Sequence, residues 1–112
     1  TEIAGRVDIP LVLHGASGVN QDHVGIANDN GAALKYTKGG PDEAISDAVR
    51  RGICKVNIDT DMRIAFTAFL RKTFGDSPDV FDPRKYLGAG RSAVEEVVRY
   101  KMKLFGSEGK AD

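Results

Sequence analysis

One cysteine, Cys54, among 112 residues excludes an internal disulfide framework and fits a reducing compartment. Neither sign of charge is in surplus. Sixteen Lys and Arg against 16 Asp and Glu leave a formal net charge of zero, so no global field recruits nucleic acid or a membrane surface. The basic groups at 35–38 and 50–51 are too sparse for nucleic-acid binding. No apolar run approaches the roughly 20 residues that a bilayer span needs. No charged, apolar and small-residue signal opens the chain. The expectation is a cytoplasmic protein with no membrane and no nucleic-acid partner. What is present is 41% hydrophobic and 29% charged residues, a soluble globular composition.

Ile9-Pro10-Leu11-Val12-Leu13-His14-Gly15 is a short, nearly unbroken apolar run ending in glycine. It reads as a strand buried on both faces, as in a parallel sheet, with Pro10 at its start. A weakly periodic helix follows over Asn20–Asn30, stopped by Gly31. The next helix begins at Pro41, the first helical position, with Asp42 and Glu43 favouring the positive end of its dipole. Its Ala44, Ile45, Ala48 and Val49 share a face, and Gly52 closes it. Ile53-Cys54-Lys55-Val56-Asn57-Ile58 reads as a second strand. Asp59 and Thr60 cap a helix whose stripe is Met62, Phe66, Phe69 and Thr73, ending near Gly75. After a loop over Asp76–Asp82, Pro83 starts a short helix. A capping box of Ser92 and Glu95 starts a last helix with a Val94, Val97, Val98, Met102 and Phe105 stripe.

Strands alternating with helices imply an α/β fold with parallel strands. Two such strands make no stable sheet alone, since both edges stay open and both faces need cover. A (β/α)8 barrel takes roughly 250 residues, about 30 per unit. This chain has the length of the last quarter of one plus a tail. The expectation is therefore a partial barrel domain over 1–112, with the last two βα units at 1–75 and a C-terminal helical tail at 76–112.

Alternation along the second strand puts Cys54, Val56 and Ile58 on one face and Lys55, Asn57 and Asp59 on the other. The apolar set suits packing under outer helices, with Cys54 in the core. The polar set then faces the barrel axis, where polar groups are costly unless paired or used. His14 stands at the carboxyl end of the first strand, the end at which barrels carry their active sites. His14-Gly15-Ala16-Ser17-Gly18 is either a buried histidine followed by an ordinary turn, or a metal-capable imidazole beside an anion-binding loop. Asn57-Ile58-Asp59-Thr60-Asp61 runs into a helix start, where free amides attract phosphate or are satisfied by the acidic residues themselves. Asp59 and Asp61 repel phosphate unless a cation or hydrogen bonds offset them. Lys55 reads as a salt-bridge lysine or a Schiff-base nucleophile. Arg63 and Arg84 are solvated arginines or bidentate phosphate ligands. His23 reads as exposed and structural.

Taken together, Leu11–Ser17, Gly52–Arg63, Asp82–Gly88 and Leu104–Ser107 resemble the C-terminal third of a class II, metal-dependent fructose-bisphosphate aldolase. The resemblance implies strands 7 and 8 of a (β/α)8 TIM barrel and its C-terminal helices. It makes His14 one of three histidines on a catalytic Zn2+, with another divalent metal an alternative. It assigns Gly15, Ser17, Asp59 and Thr60 to the phosphate of the dihydroxyacetone half, where the family also binds Na+ or K+. Asn57 becomes the amide that hydrogen-bonds the enediolate. Arg63 and Arg84 bind the far phosphate, with Asp82 and Arg84 reaching a neighbouring subunit's site.

The implied reaction is reversible cleavage of fructose 1,6-bisphosphate to dihydroxyacetone phosphate and glyceraldehyde 3-phosphate, in a homodimer or homotetramer. The other two zinc histidines and an aspartate acid/base are expected upstream of Thr1, so the 112 residues alone are expected to be inactive and poorly folded. Tagatose-bisphosphate aldolase is the nearest alternative, and Asp59, Asp61 and Arg63 favour the fructose substrate. A metal-free Schiff-base aldolase using Lys55 and a non-catalytic phosphate-binding or assembly piece of a barrel are the others.

Overall fold

The structure is a computed structural model that describes residues 2–35 and 40–111. Two strands and four helices follow in the order β1 (Leu11–Leu13), α1 (Gln21–Asp29), α2 (Asp42–Arg50), β2 (Ile53–Val56), α3 (Thr60–Asp76) and α4 (Pro83–Phe105). The strands are parallel neighbours, as the alternating pattern requires. Leu11 pairs with Ile53, Val12 with Lys55 and Leu13 with Val56. That register skips Cys54, which is the extra residue of a bulge. It corrects the sequence expectation for this side chain. Cys54 is exposed, because a bulged residue leaves the ladder.

The helix starts follow local chemistry. Asn20 caps α1 by accepting from the Asp22 amide at 2.8 Å. Pro41 occupies the cap of α2 rather than its first helical position. Asp82 caps α4 through the Arg84 amide at 2.9 Å, with Pro83 directly behind it. Beyond that point the structure departs from the sequence expectation. The short helix and the last helix are one 23-residue helix, and Ser92 lies exposed inside it. The Ser92/Glu95 capping pattern is not used. Glu95 instead pairs with Arg99 one turn on, at 2.7 Å, an interaction that favours continuous helix.

The core is thin and built from small side chains. Val19, Val24 and Ile64 form one cluster with Leu34 against it. Ala65, Ala93 and Val97 form another, flanked by Met62 and Phe69. So α3 buries two faces, one toward α1 and one toward α4, rather than the single stripe read from its aromatic residues. Its fully covered residues are Asp61, Ile64, Ala65 and Ala68, with Met62, Phe66 and Phe69 half-buried. On α4 the buried positions are Gly90, Ala93, Val97 and Lys101, while Val98 and Met102 are exposed. No large side chain among the described residues is fully buried, whereas Phe81, Ile9 and Ile3 stand out at 89%, 68% and 67% exposure. The radius of gyration is 16.8 Å, against roughly 13 Å for a closed domain of this length. The molecule is a slab of 58 × 35 × 17 Å, in which the sheet meets the helices through the contact of β2 with α2.

Candidate functional site

The carboxyl ends of the two strands bring His14 and Asn57 together. Because Val12 pairs with Lys55, the residues two places further on lie side by side on the same face. The Asn57 amide donates to the Leu13 carbonyl at 3.0 Å, extending the ladder by one bond. The Asn57 Nδ2 atom lies 3.0 Å from His14 Nδ1 and 3.2 Å from His14 Nε2. A carboxamide N–H can donate to whichever ring nitrogen lacks a proton. His14 itself is exposed.

Behind His14 the chain turns at Gly15, whose φ of +68° lies in the left-handed region that glycine adopts without strain. Ala16 is buried and anchors the loop. The Ser17 carbonyl accepts from the Gly40 amide at 3.3 Å, which ties the loop to the start of α2. On the neighbouring strand, Asp59 occupies the cap of α3 but makes no side-chain bond to the helix amides. Its carboxylate accepts from Arg63 Nε at 2.8 Å. The start of α3 therefore keeps amides without a side-chain cap, beside the Thr60 hydroxyl. Asp59, Thr60 and Arg63 line a depression of about 270 Å³ with Leu34, Ile64 and Thr67.

The remaining sequence candidates sit elsewhere. Asp82 and Arg84 lie at the far end of α4, where Arg84 closes its fork on Asp82 with Nη2 at 2.7 Å. Arg84 lines a separate depression of about 430 Å³ with Pro83, Leu87, Gly88 and Arg91. Its guanidinium is exposed and holds the Asp82 carboxyl below the usual carboxylate range. Lys55 is exposed on the strand. Of the basic group at 35–38, residues 36–38 lie outside the described residues.

A cluster that sequence reasoning missed lies behind the His14–Gly18 loop. Gly18, His23, Asp42, Asp61, Glu96, Tyr100 and Lys101 line a cavity of about 460 Å³. Lys101, only 6% exposed, gives its ammonium to Asp42 Oδ1 at 3.1 Å, and the Tyr100 hydroxyl donates to the same carboxylate. Asp61 is 4% exposed and neither of its oxygens has a hydrogen-bond partner. Burial pushes its carboxyl up, against the opposing pull of the Lys101 ammonium. His23 is half-buried, edge-on to Phe69 at 5.8 Å, and burial lowers its basicity against the opposing pull of Asp22 and Asp61. The signal was in the sequence. Lys101 continues the four-residue spacing of Ala93 and Val97, a lysine at a core position of an amphipathic helix.

One imidazole is one metal ligand, and no group of three or more His, Cys, Asp or Glu side chains among the described residues could hold a metal ion. His14, exposed at a strand end, could supply a single ligand to such a set. Among the described residues no helix is long and apolar enough to cross a membrane.

Residues 1–110 match the family described as fructose-bisphosphate aldolase class-II. The chain belongs to that family. A fructose-bisphosphate aldolase of Thermus caldophilus is 51% identical over 109 residues, which are 97% of this chain and 36% of that protein. A fructose-bisphosphate aldolase of Giardia intestinalis is 44% identical over 97% of this chain and 34% of its own length. A 6-phospho-5-dehydro-2-deoxy-D-gluconate aldolase of Bacillus licheniformis is 41% identical over 98% of this chain and 30% of its own length. The chain thus spans about a third of the length of the curated relatives it matches.

Proposed function

We propose that the chain is the C-terminal portion of a (β/α)8 barrel, contributing strands 7 and 8 and the closing helices to a zinc-dependent fructose 1,6-bisphosphate aldolase. The observation that carries this reading is the meeting of His14 and Asn57 at 3.0–3.2 Å on neighbouring parallel strands, in a chain of the class-II family. The open sheet edges and the thin core fit an element that the rest of a barrel would complete.

His14 would supply one imidazole nitrogen to the metal, whose Lewis acidity would favour negative charge on the sugar oxygens as the carbon–carbon bond breaks. A neutral imidazole has one free lone pair, so His14 cannot accept from Asn57 through the nitrogen that ligates. With that nitrogen occupied, the Asn57 carboxamide would turn its N–H to the developing oxyanion. Gly15, Ser17, Asp59 and Thr60 would hold the near phosphate against the amides at the start of α3, with Na+ or K+ offsetting Asp59. Arg63 would grip the far phosphate. Arg84 would do so in a neighbouring subunit after leaving Asp82. Anchoring both ends would orient the reacting carbons between them.

Cleavage assays on a complete polypeptide carrying this chain test the reading. Fructose 1,6-bisphosphate should be cleaved, chelator should abolish the activity and zinc should restore it. A borohydride adduct at Lys55 would overturn the zinc reading in favour of Schiff-base chemistry. The same assay with tagatose 1,6-bisphosphate and with 6-phospho-5-dehydro-2-deoxy-D-gluconate separates substrates, the latter because a relative of that name shares 41% identity. Absence of cleavage of any of the three would leave a non-catalytic barrel element.

A further inference from the structure

The face of a single helix is convex, so a depression on it needs a wall from elsewhere. The depression of about 270 Å³ at the start of α3 is lined by Asp59, Thr60, Arg63, Ile64 and Thr67, all from α3 or its cap, and by Leu34. Among the described residues, Leu34 is therefore the one lining residue that another segment brings. It stands in the connection after α1, where no helix or strand ladder holds the backbone. One side chain supplies that hold. Asn28 Oδ1 accepts from the Leu34 amide at 2.8 Å, and Asn28 Nδ2 donates to the Leu34 carbonyl at 3.2 Å.

The Asn28 side chain is not needed to finish α1. The Asn30 and Ala32 amides donate to the Ala27 carbonyl at 3.2 and 2.9 Å, and the Gly31 amide donates to the Asn28 carbonyl at 3.1 Å, so backbone bonds alone close that helix end. The turn behind it is pinned to α3, where Arg71 donates to the Asn30 carbonyl at 3.3 Å. Leu34 is half-buried against the Val19, Val24 and Ile64 cluster, and Ile64 also lines the depression. The two bonds thus set where an apolar wall stands relative to Thr60 and Arg63.

We infer that Asn28 is a positioning residue for substrate binding: its carboxamide, bonded to both backbone groups of Leu34, fixes the wall that turns the start of α3 into a pocket for a phosphate-bearing end of a sugar. The inference rests on the proposed aldolase reading. Asn28 touches no substrate in it and acts through Leu34.

The test uses the complete enzyme with Asn28→Ala, Leu34→Ala and the two combined. Asn28→Asp, which keeps the acceptor for the Leu34 amide, replaces the alanine variant if that one fails to fold. Asn28→Ala should raise KM for fructose 1,6-bisphosphate by about five- to tenfold, the scale of one or two neutral hydrogen bonds. The kcat should stay within about twofold, because only the shape of the binding site has changed. Leu34→Ala should raise KM likewise, and Asn28→Ala should add nothing in that background, since the wall it holds is gone. Hydrogen–deuterium exchange at the Leu34 amide should quicken in Asn28→Ala, a readout independent of turnover. Unchanged KM in the folded Asn28 variant, an equal further rise in the Leu34→Ala background, or a loss confined to kcat overturns the inference while leaving the aldolase reading intact. An unsubstituted enzyme that cleaves no sugar bisphosphate overturns both.

Discussion

The ring of Phe66 occupies the space that a side chain at position 90 would need. A Cβ built on Gly90 would lie 2.6 Å from both Cδ2 and Cε2 of that ring, so α3 and α4 approach closely only because position 90 is glycine. Gly90→Ala should therefore destabilise the complete protein by about 1–3 kcal/mol despite its better helix propensity. Pairing it with Phe66→Leu should recover part of the loss. Urea denaturation of the single and double variants reads the coupling, and additive effects would exclude this contact as the cause.

Lys101 sits at the opposite end of the packed face of α4, buried and bonded to Asp42. Lys101→Met should cost about 3–5 kcal/mol, because it takes the ammonium away from Asp42 and from the buried Asp61. Adding Asp42→Asn should restore a substantial part. If the single variant unfolds at the same urea concentration as the parent, the pair has no structural weight.

His23 gives a pH dependence of definite sign. Its folded-state pKa lies below the ordinary 6.5, because burial favours the neutral ring. The stability it contributes is complete above 6.5 and falls away as pH drops through 6.5 toward the lowered value. His23→Gln should flatten the stability profile on the acid side of neutrality without changing it at pH 8. Urea midpoints measured across that range decide the matter, and an unchanged slope would reassign the dependence to another group.

Asn57→Ala should lower kcat by about 10²–10³, the scale of one lost oxyanion donor, with zinc content retained. His14→Ala should abolish activity and reduce the metal that survives dialysis. Full activity in Asn57→Ala would remove the carboxamide from the chemistry, and the metal content of each variant separates the two roles.

The isolated 112 residues should melt broadly and bind hydrophobic dyes, given an exposed Phe81 and a core of alanine and valine. Circular dichroism melting checks this. A sharp, cooperative transition would contradict it.

Much of the fold was legible because it follows from local signals. The apolar runs around Leu11–Leu13 and Ile53–Val56 pointed to parallel strands, and Pro83 marked the start of α4. The meeting of His14 with Asn57 was legible for the same reason, since strand alternation and parallel pairing leave little freedom at the carboxyl ends. What sequence could not resolve was set by competition between neighbours. Ser92 and Glu95 form a valid capping box, but the helix already running from Pro83 and the Glu95–Arg99 pair override it. Cys54 follows from a bulge, which alternation does not foresee. Asp61 read as part of the acidic run at a helix start and Lys101 drew no reading, because their burial depends on four helices and one loop closing on them.

Helix α4 has a further consequence. Its 23 residues form a strut roughly 34 Å long with Arg84 near one tip and Lys101 near the other. A rod of that kind transmits displacement rather than absorbing it. A shift at the arginine end would therefore also change the depth of the ammonium group that packs against Gly18, coupling the far tip of the helix to the loop beside the imidazole.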